Sequence, residues 1–258
     1  MNNKSVKYSF DRAANYYSKN AFSQRIIAQE LFDFFDKNHS FKRIIEFGCG
    51  TGFFTNLLLK QYPDSVIEAI DVSSEMINHI SSESENLTVH VADAREYQSK
   101  AGSFDLLVCC SSLQWMEPID KTLDNWRNQA NPAAKYLFSI MIKGTLEEIR
   151  SERERLFPEA AKPLTLYDES EIFNILEKSK LKIIKSKINE YKESYNSSAD
   201  VINHIRNIGV TASSDTNNKN LSKDDILTLT RALDSKYKNS NIPLIYRVIF
   251  IEAINNTY

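Results

Sequence analysis

Arg43-Ile-Ile-Glu-Phe-Gly-Cys-Gly-Thr-Gly-Phe-Phe-Thr55 decides the fold. Ile44 to Phe47 form a short apolar strand, which runs into a turn punctuated by Gly48, Gly50 and Gly52 and then into a helix. Glycine tolerates positive φ and has no side chain to hold a ligand away from the backbone. Three glycines at alternate positions after a strand therefore mark a loop against which a cofactor can lie. The G-x-G-x-G spacing differs from the G-x-G-x-x-G of dinucleotide binders, and no Gly-Lys-Ser/Thr follows to cradle phosphates. Glu46, two places before the first glycine, would repel a pyrophosphate and welcome an ammonium group.

This acid-strand-glycine arrangement resembles the first motif of the S-adenosylmethionine (SAM) methyltransferases, whose ligand carries an amino acid end instead of phosphates. Downstream, Ser65 to Ile70 read as a second strand ending in Asp71, 25 residues beyond Glu46 and slightly farther than the usual spacing. A carboxylate at that tip can accept both hydroxyls of an adenosine ribose. Ser73 and Ser74 cap a helix running to Ile80. Leu87 to Val91 alternate as a third strand, followed by Asp93, placed to accept from an adenine amino group. Phe104 to Cys110 form an apolar run covered on both faces, the pattern of a central strand. Ligands of open α/β sheets sit at the carboxyl ends of the strands, so Gln114 and Trp115, just beyond, are expected to line the site.

Pro118 to Asn131 are expected as a helix, Tyr136 to Ile142 as strand five and Asp168 to Ser179 as a further helix. Strand six is placed at about residues 182 to 188, flanked by Lys178, Lys180, Lys182, Lys185, Lys187 and Lys192. These lysines have two readings, a solvated sheet edge or a docking patch for an acidic partner. An insertion, residues 197–241, holds one helix from Ala199 to Ile208 stopped by Gly209, and a second from Leu221 to Tyr237 opened by Ser222 and Asp225. Pro243 to Ile254 are the last strand. Ahead of everything, residues 8–24 carry three tyrosines and two phenylalanines, a segment expected to fold over the cofactor site. Ile27, Leu31, Phe34 and Phe35 then mark an amphipathic helix ending near Asn38.

The expected fold is α/β: a doubly wound, seven-stranded, mostly parallel sheet, Rossmann-like, of the class I methyltransferase kind. The last two strands add an antiparallel edge, and a helical lid is inserted between them. The divisions are 1–40 (aromatic segment and helix over the cofactor), 41–196 (SAM-binding core), 197–241 (lid) and 242–258 (last strand). The loop at residues 131–135 lacks the glycine pair often seen before strand five in methyltransferases.

Bulk properties agree. The 258 residues are 42% hydrophobic and 26% charged, those of a soluble globular protein. A net charge of −2 argues against a broad nucleic-acid surface, and no Asn/Asp-Pro-Pro-Tyr base pocket follows strand four. No apolar run approaches the roughly 20 residues of a membrane helix, and the first residues lack a signal peptide's apolar core. Cys49, Cys109 and Cys110 match neither a disulfide framework nor a metal-ligand spacing. Small buried thiols in a reducing cytoplasm are the expectation.

Stretches outside the glycine core narrow the resemblance. Phe10-Asp-Arg-Ala-Ala-Asn-Tyr-Tyr17 with Ala21 and Gln24, Leu113-Gln-Trp115, Lys143-Gly-Thr-Leu146, His204-Ile-Arg-Asn-Ile-Gly-Val-Thr211 and Pro243-Leu-Ile-Tyr246 resemble the malonyl-[acyl-carrier protein] O-methyltransferases of biotin synthesis, the BioC family. The matches keep their order from residue 10 to about 254. The resemblance implies transfer of a methyl group from SAM, leaving S-adenosylhomocysteine, to the free carboxyl of a malonyl thioester on acyl carrier protein. No metal, nucleic acid or membrane is implied. The cofactor set is then Glu46, Gly48, Gly50, Gly52, Asp71 and Asp93, with Arg12, Val72, Met76, Ala94, Ser111 and Trp115. On the substrate side, Arg206 and Arg247 are candidates to grip the carboxylate, and Tyr17 and Gln114 to orient it or the methionine end. Lysines around residues 178 to 192, or Arg231, Lys236 and Lys238, would suit an acidic carrier. A carboxyl methyltransferase of a free small acid, and a SAM-fold protein that binds without turnover, are the alternatives.

Overall fold

The apolar runs of the sequence become the middle of the sheet. In the computed structural model, which describes residues 3–81, 84–160, 164–211 and 220–256, β1 (Arg43–Phe47) and β4 (Phe104–Cys110) lie side by side, parallel, with Ile44 opposite Leu106 and Glu46 opposite Val108. Outward on one side lie β2 (Val66–Asp71) and β3 (Leu87–Val91), both parallel to β1. On the other lie β5 (Ala130–Met141), β7 (Ile242–Asn255) and β6 (Leu181–Tyr195), giving the order β3-β2-β1-β4-β5-β7-β6. β7 runs antiparallel to both neighbours. The chain leaves β1 for β2 on one side and returns to β4 on the other, so the carboxyl ends of β1 and β4 form a topological switch point.

Strand alternation sorts the side chains into two cores. Ile44, Leu106, Val108, Leu137, Val248 and Phe250 face a layer built from α2 (Phe22–Phe34), α3 (Phe53–Gln61), α6 (Glu147–Leu156), α8 (Ser198–Asn207) and α9 (Lys223–Lys236). Ile45, Phe47, Leu107, Cys109, Phe138 and Ile249 face α5 (Ile119–Arg127) and α7 (Glu169–Lys178). The remaining helices are α1 (Asn3–Asn20) and the single turn α4 (Ser74–Ile77), with a 3₁₀ turn over Leu113–Trp115. α8 and α9 interrupt the chain between β6 and β7, as expected of the insertion. Ser197 caps α8, and Ser222 with Asp225 forms a capping box at α9. The polar loop expected at residues 213–220 lies almost wholly outside the described residues.

Several boundaries differ from expectation. The aromatic N-terminal segment is a regular helix, α1, joined to α2 through Ala21 alone, and α2 stops at Phe34. α5 ends at Arg127, because β5 begins at Ala130, well before Tyr136. Its first residues bulge: Phe104 pairs with Ala130, and two residues later Leu106 pairs with Lys135. Asn131 inside the bulge donates to Asp105, at 2.6 Å, so the stretch Asn-Pro-Ala-Ala is strand rather than loop. β6 continues to Tyr195 because the long β7 lies against it from Leu181 to Tyr195, with one register shift between Ile183 and Lys185; its alternating lysines suit an edge strand. The helix after Asp71 is one turn long, with Ser73 accepting from the Met76 amide at 3.1 Å.

Trp126 shows how tightly the α5 face is set. It is fully buried, its ring stacks on Phe47 at 4.5 Å, and its indole donates to the Ala94 carbonyl at 2.7 Å. Trp126→Ala removes a large buried ring and orphans that carbonyl. It is expected to cost about 3–5 kcal/mol of stability, measured as a shift in the urea unfolding midpoint at unchanged slope.

Candidate functional site

Above the switch point, the structure encloses a cavity of about 960 Å³. That is the upper end of what single-ligand pockets span, about 300–1,000 Å³. Its floor is the glycine loop. Gly48, at φ 75°, gives its amide to the Ile70 carbonyl at 2.8 Å, and a Cβ there would sit 2.3 Å from Ser112 Oγ. Only glycine lets the tips of β1 and β4 approach this closely. At Gly50 a Cβ would meet nothing within 4 Å; the loop there opens directly onto the cavity. Gly52 begins α3 and backs onto Ile80, so it shapes the loop without lining the cavity.

Among the described residues, three carboxylates line the cavity: Glu46, Asp71 and Asp93, one from the end of each of β1, β2 and β3. Glu46 is buried, accepts from Thr55 Oγ1 at 2.6 Å, and is pushed up to about 8 by loss of hydration, with the Asp71 charge acting in the same sense. Asp71 accepts the Gly50 amide at 2.9 Å on one oxygen and the Ser73 amide at 2.8 Å on the other. Burial raises it in spite of both bonds. Asp93 is held by Arg95 through Nε and Nη2, and Arg95 reaches on to the Glu117 carbonyl at 3.0 Å. Val72, Met76 and Ala94 give this end apolar walls.

The roof comes from α1. Phe10 meets Trp115 edge to face at 5.6 Å, and Ala13 and Ala14 pack with Met76. Asp11 accepts from Ser73 Oγ at 2.6 Å and pairs with Lys7 at 2.5 Å, tying α1 to the cap of α4. Arg12 and Tyr17 line the cavity; burial holds the Tyr17 phenol well above its ordinary value, so it is a neutral donor. Ser111, at φ 52°, turns the chain out of β4, and Gln114 Nε2 donates to its carbonyl at 2.7 Å. Gln114 is buried, lines the cavity, and its Oε1 has no partner among the described residues. An acceptor left unmatched in this way is costly without a donor to meet it.

The structure separates the two arginine candidates. Arg206, in the last turn of α8, lines the cavity, and its guanidinium has no hydrogen-bond or ion-pair partner among the described residues. Arg247 does not line it. On β7 the buried Tyr246 faces the cavity, and the next side chain must point to the opposite face. Arg247 there lies 3.6 Å from Glu190, beside Gly144. The geometry thus places Arg247 away from the cavity that Arg206 lines.

Two further arginines, Arg150 and Arg153 of α6, reach the cavity half-buried. Arg150 donates to the Leu164 carbonyl at 2.9 Å, and desolvation lowers both guanidinium pKa values. Sequence reasoning missed them because Glu-Glu-Ile-Arg-Ser-Glu-Arg-Glu-Arg reads as a solvated face. Beneath them, His204 Nε2 lies 2.8 Å from the Tyr246 hydroxyl and 3.5 Å from Glu193, a polar contact linking α8 to the sheet. Cys49 and Cys110 also line the cavity, and burial pushes the Cys110 thiol up to about 12, so it is unreactive.

The family described as "Methyltransferase domain" matches residues 44–133. The chain is 28% identical over 215 residues to malonyl-[acyl-carrier protein] O-methyltransferase 2 of Ilyobacter polytropus, covering 82% of each chain. It is 25% identical to the malonyl-[acyl-carrier protein] O-methyltransferase of Halalkalibacterium halodurans, covering 97% of this chain and 98% of the other. Among solved structures, the fold is similar to magnesium protoporphyrin IX methyltransferase of Synechocystis PCC 6803 with bound S-adenosylhomocysteine, at a TM-score of 0.55 and 14% identity, covering 90% of this chain and 83% of that one.

Glu46 offers a test of the site's electrostatics. Its folded pKa of about 8 lies above the ordinary 4.5. Its contribution to stability is therefore full below pH 4.5 and is lost as pH rises to 8, at up to about 1.4 kcal/mol per pH unit. Glu46→Gln keeps an acceptor for Thr55 and cannot titrate. The difference between wild-type and variant unfolding free energies is expected to fall through that window and level off above it, measured by urea melts from pH 4 to 9.

Proposed function

We propose that this chain, which belongs to the class I SAM-dependent methyltransferases, esterifies the free carboxylate of a malonyl thioester carried on acyl carrier protein. The product, a methyl ester, would be the primer for pimeloyl and biotin synthesis. The observation that carries this reading is the division of charge in the cavity. The three carboxylates among its described lining residues stand at the tips of β1, β2 and β3, while α6 and α8 contribute Arg150, Arg153 and Arg206 and no carboxylate.

The acidic half fits the cofactor. Glu46 and the unmatched Gln114 Oε1 are acceptors for its ammonium group, Gly50 leaves room for it against the backbone, and Asp71 retains lone pairs for the ribose hydroxyls. Asp93 faces the adenine amino group, with Val72, Met76 and Ala94 against the ring. Arg12, Tyr17, Ser111 and Trp115 close this half, with α1 as its cover. SAM, when bound, supplies an electrophilic methyl group on a sulfonium.

The basic half fits an anion. A malonyl carboxylate is ionised at neutral pH, so no general base is required of the protein. The residues need only hold the carboxylate in line with the methyl group, a positioning effect that can supply about 7–11 kcal/mol in well-oriented reactions. Arg206 can grip both oxygens, Arg150 and Arg153 make the surroundings cationic, and Tyr17 donates a hydrogen bond without carrying charge. The apolar wall of Met141, Leu146, Ile149, Leu164 and Leu166 excludes water from this half. The three free thiols agree with a cytoplasmic setting.

Methylation of malonyl-carrier protein, malonyl-CoA and free diacids, followed by mass spectrometry, tests the proposal. Turnover of free diacids alone would replace it with a small-acid methyltransferase, and SAM binding without transfer to any of them with a binding protein. Arg206→Ala is expected to lower kcat/KM for the malonyl substrate about 10- to 100-fold, the loss of a charged hydrogen-bond pair, with SAM affinity within about twofold of wild type. Unchanged turnover would move the carboxylate contact to Arg150 or Arg153.

A further inference from the structure

A carrier-bound substrate must be presented from outside, and the cavity opens where three elements meet. Asn207 at the end of α8 touches Asn20 at the end of α1, at 3.5 Å. Arg25 of α2 donates to the Ser18 carbonyl, and Ser18 Oγ lies 3.4 Å from Thr51 of the glycine loop. Tyr16, Phe53 and Arg206 both line the cavity and are exposed, with Arg25 half-buried in the same lining, and so mark its mouth.

That rim is apolar and cationic at once. Tyr16 is 56% exposed and Phe53 38%. Just outside, Phe22 (58%) and Ile26 (39%) lie one turn apart on α2 and present the same face. From Arg12 to Gln29 the chain holds Arg12, Lys19 and Arg25 and no acidic residue, and α3 adds Lys60 and no acid. Solvent-exposed aromatic and aliphatic side chains beside unopposed cations are the composition of an interaction surface rather than a solvated face. The lysines of β6 are less available: Lys187 pairs with Glu30 at 2.8 Å, and Lys185 donates to the Phe34 carbonyl and covers the Phe34 ring.

We infer that the α1–α2 elbow, through Lys19, Phe22 and Ile26, is the docking surface for an acidic carrier protein, which presents its thioester arm past Tyr16 and Phe53 toward Arg206. The inference rests on the functional proposal above for the identity of the carrier. Cationic side chains at the rim steer an acidic partner and set its orientation, and the exposed apolar pair supplies the contact that is buried on docking.

Lys19→Glu and Phe22→Ser alter side chains outside the cavity lining, Phe22 being mostly solvated, so the fold is expected to persist. Two readouts on wild type and each variant separate the issues. Titration of isotope-labelled malonyl-carrier protein, followed by NMR, reads docking with no turnover required. Methylation of malonyl-carrier and malonyl-CoA in parallel reads chemistry. Each variant is expected to weaken carrier binding, and to raise KM for malonyl-carrier, about tenfold, with kcat and KM for malonyl-CoA within about twofold of wild type. Carrier binding unchanged in both variants, or malonyl-CoA affected as strongly as malonyl-carrier, overturns the docking surface. Wild-type protein that methylates neither thioester overturns the functional proposal, while the NMR titration still decides the surface.

Discussion

The carboxylate of Asp71 holds the site together. One oxygen takes the Gly50 amide and the other the Ser73 amide, so the loop after β1 and the turn after β2 are pinned to a single group. Ser73 passes the constraint on through its hydroxyl to Asp11 of α1. The glycine loop, the cap of α4 and the N-terminal helix are thus one continuous polar chain, and the cavity exists because that chain spans it. Burial makes the Asp71 charge costly, and the two amide bonds offset part of that cost.

Around this chain the charges are segregated by topology. Parallel strands in a doubly wound sheet all end on the same edge, so an acid placed at the end of each of the first three strands gathers on one side without any long-range pairing. The opposite side is built from an α6 that follows β5 and an insertion that follows β6, and there the charged groups that α6 and α8 turn to the cavity are arginines. The cavity's phenol and thiol groups, Tyr17 and Cys110, are held neutral by burial.

Much of this was legible in the residues. β1, α3, β3 and β4 carry strong local signals, continuous apolar runs bounded by glycine or by a Tyr-Pro-Asp stop, and their limits agree with expectation to within a residue. The capping box at Ser222 located α9 for the same reason, since its side-chain bonds are local. What escaped depends on partners distant in sequence. The bulge of β5 is decided by Asp105, β6 extends only because β7 lies against it, and α1 is helical while reading as an aromatic segment because its apolar face meets Met76 and Trp115. Arg247 and Arg150 were placed by geometry that no local pattern records: one residue of alternation turns Arg247 away from the cavity, and helix packing turns Arg150, within a charged run, toward it.

The insertion leaves and rejoins the sheet at one place, and α8 is tied down besides by His204 to Tyr246 and by Asn207 to Asn20. Tyr195, the last residue of β6, pairs directly with Ile242, the first of β7, so the excursion carrying α8 and α9 leaves and rejoins the sheet at neighbouring points. A segment anchored in this way can lengthen, shorten or be replaced with only a small entropic change and without shifting any strand's register. Relatives of this fold can therefore diversify what they accept by rewriting this one cassette, while the machinery that binds the methyl donor stays untouched.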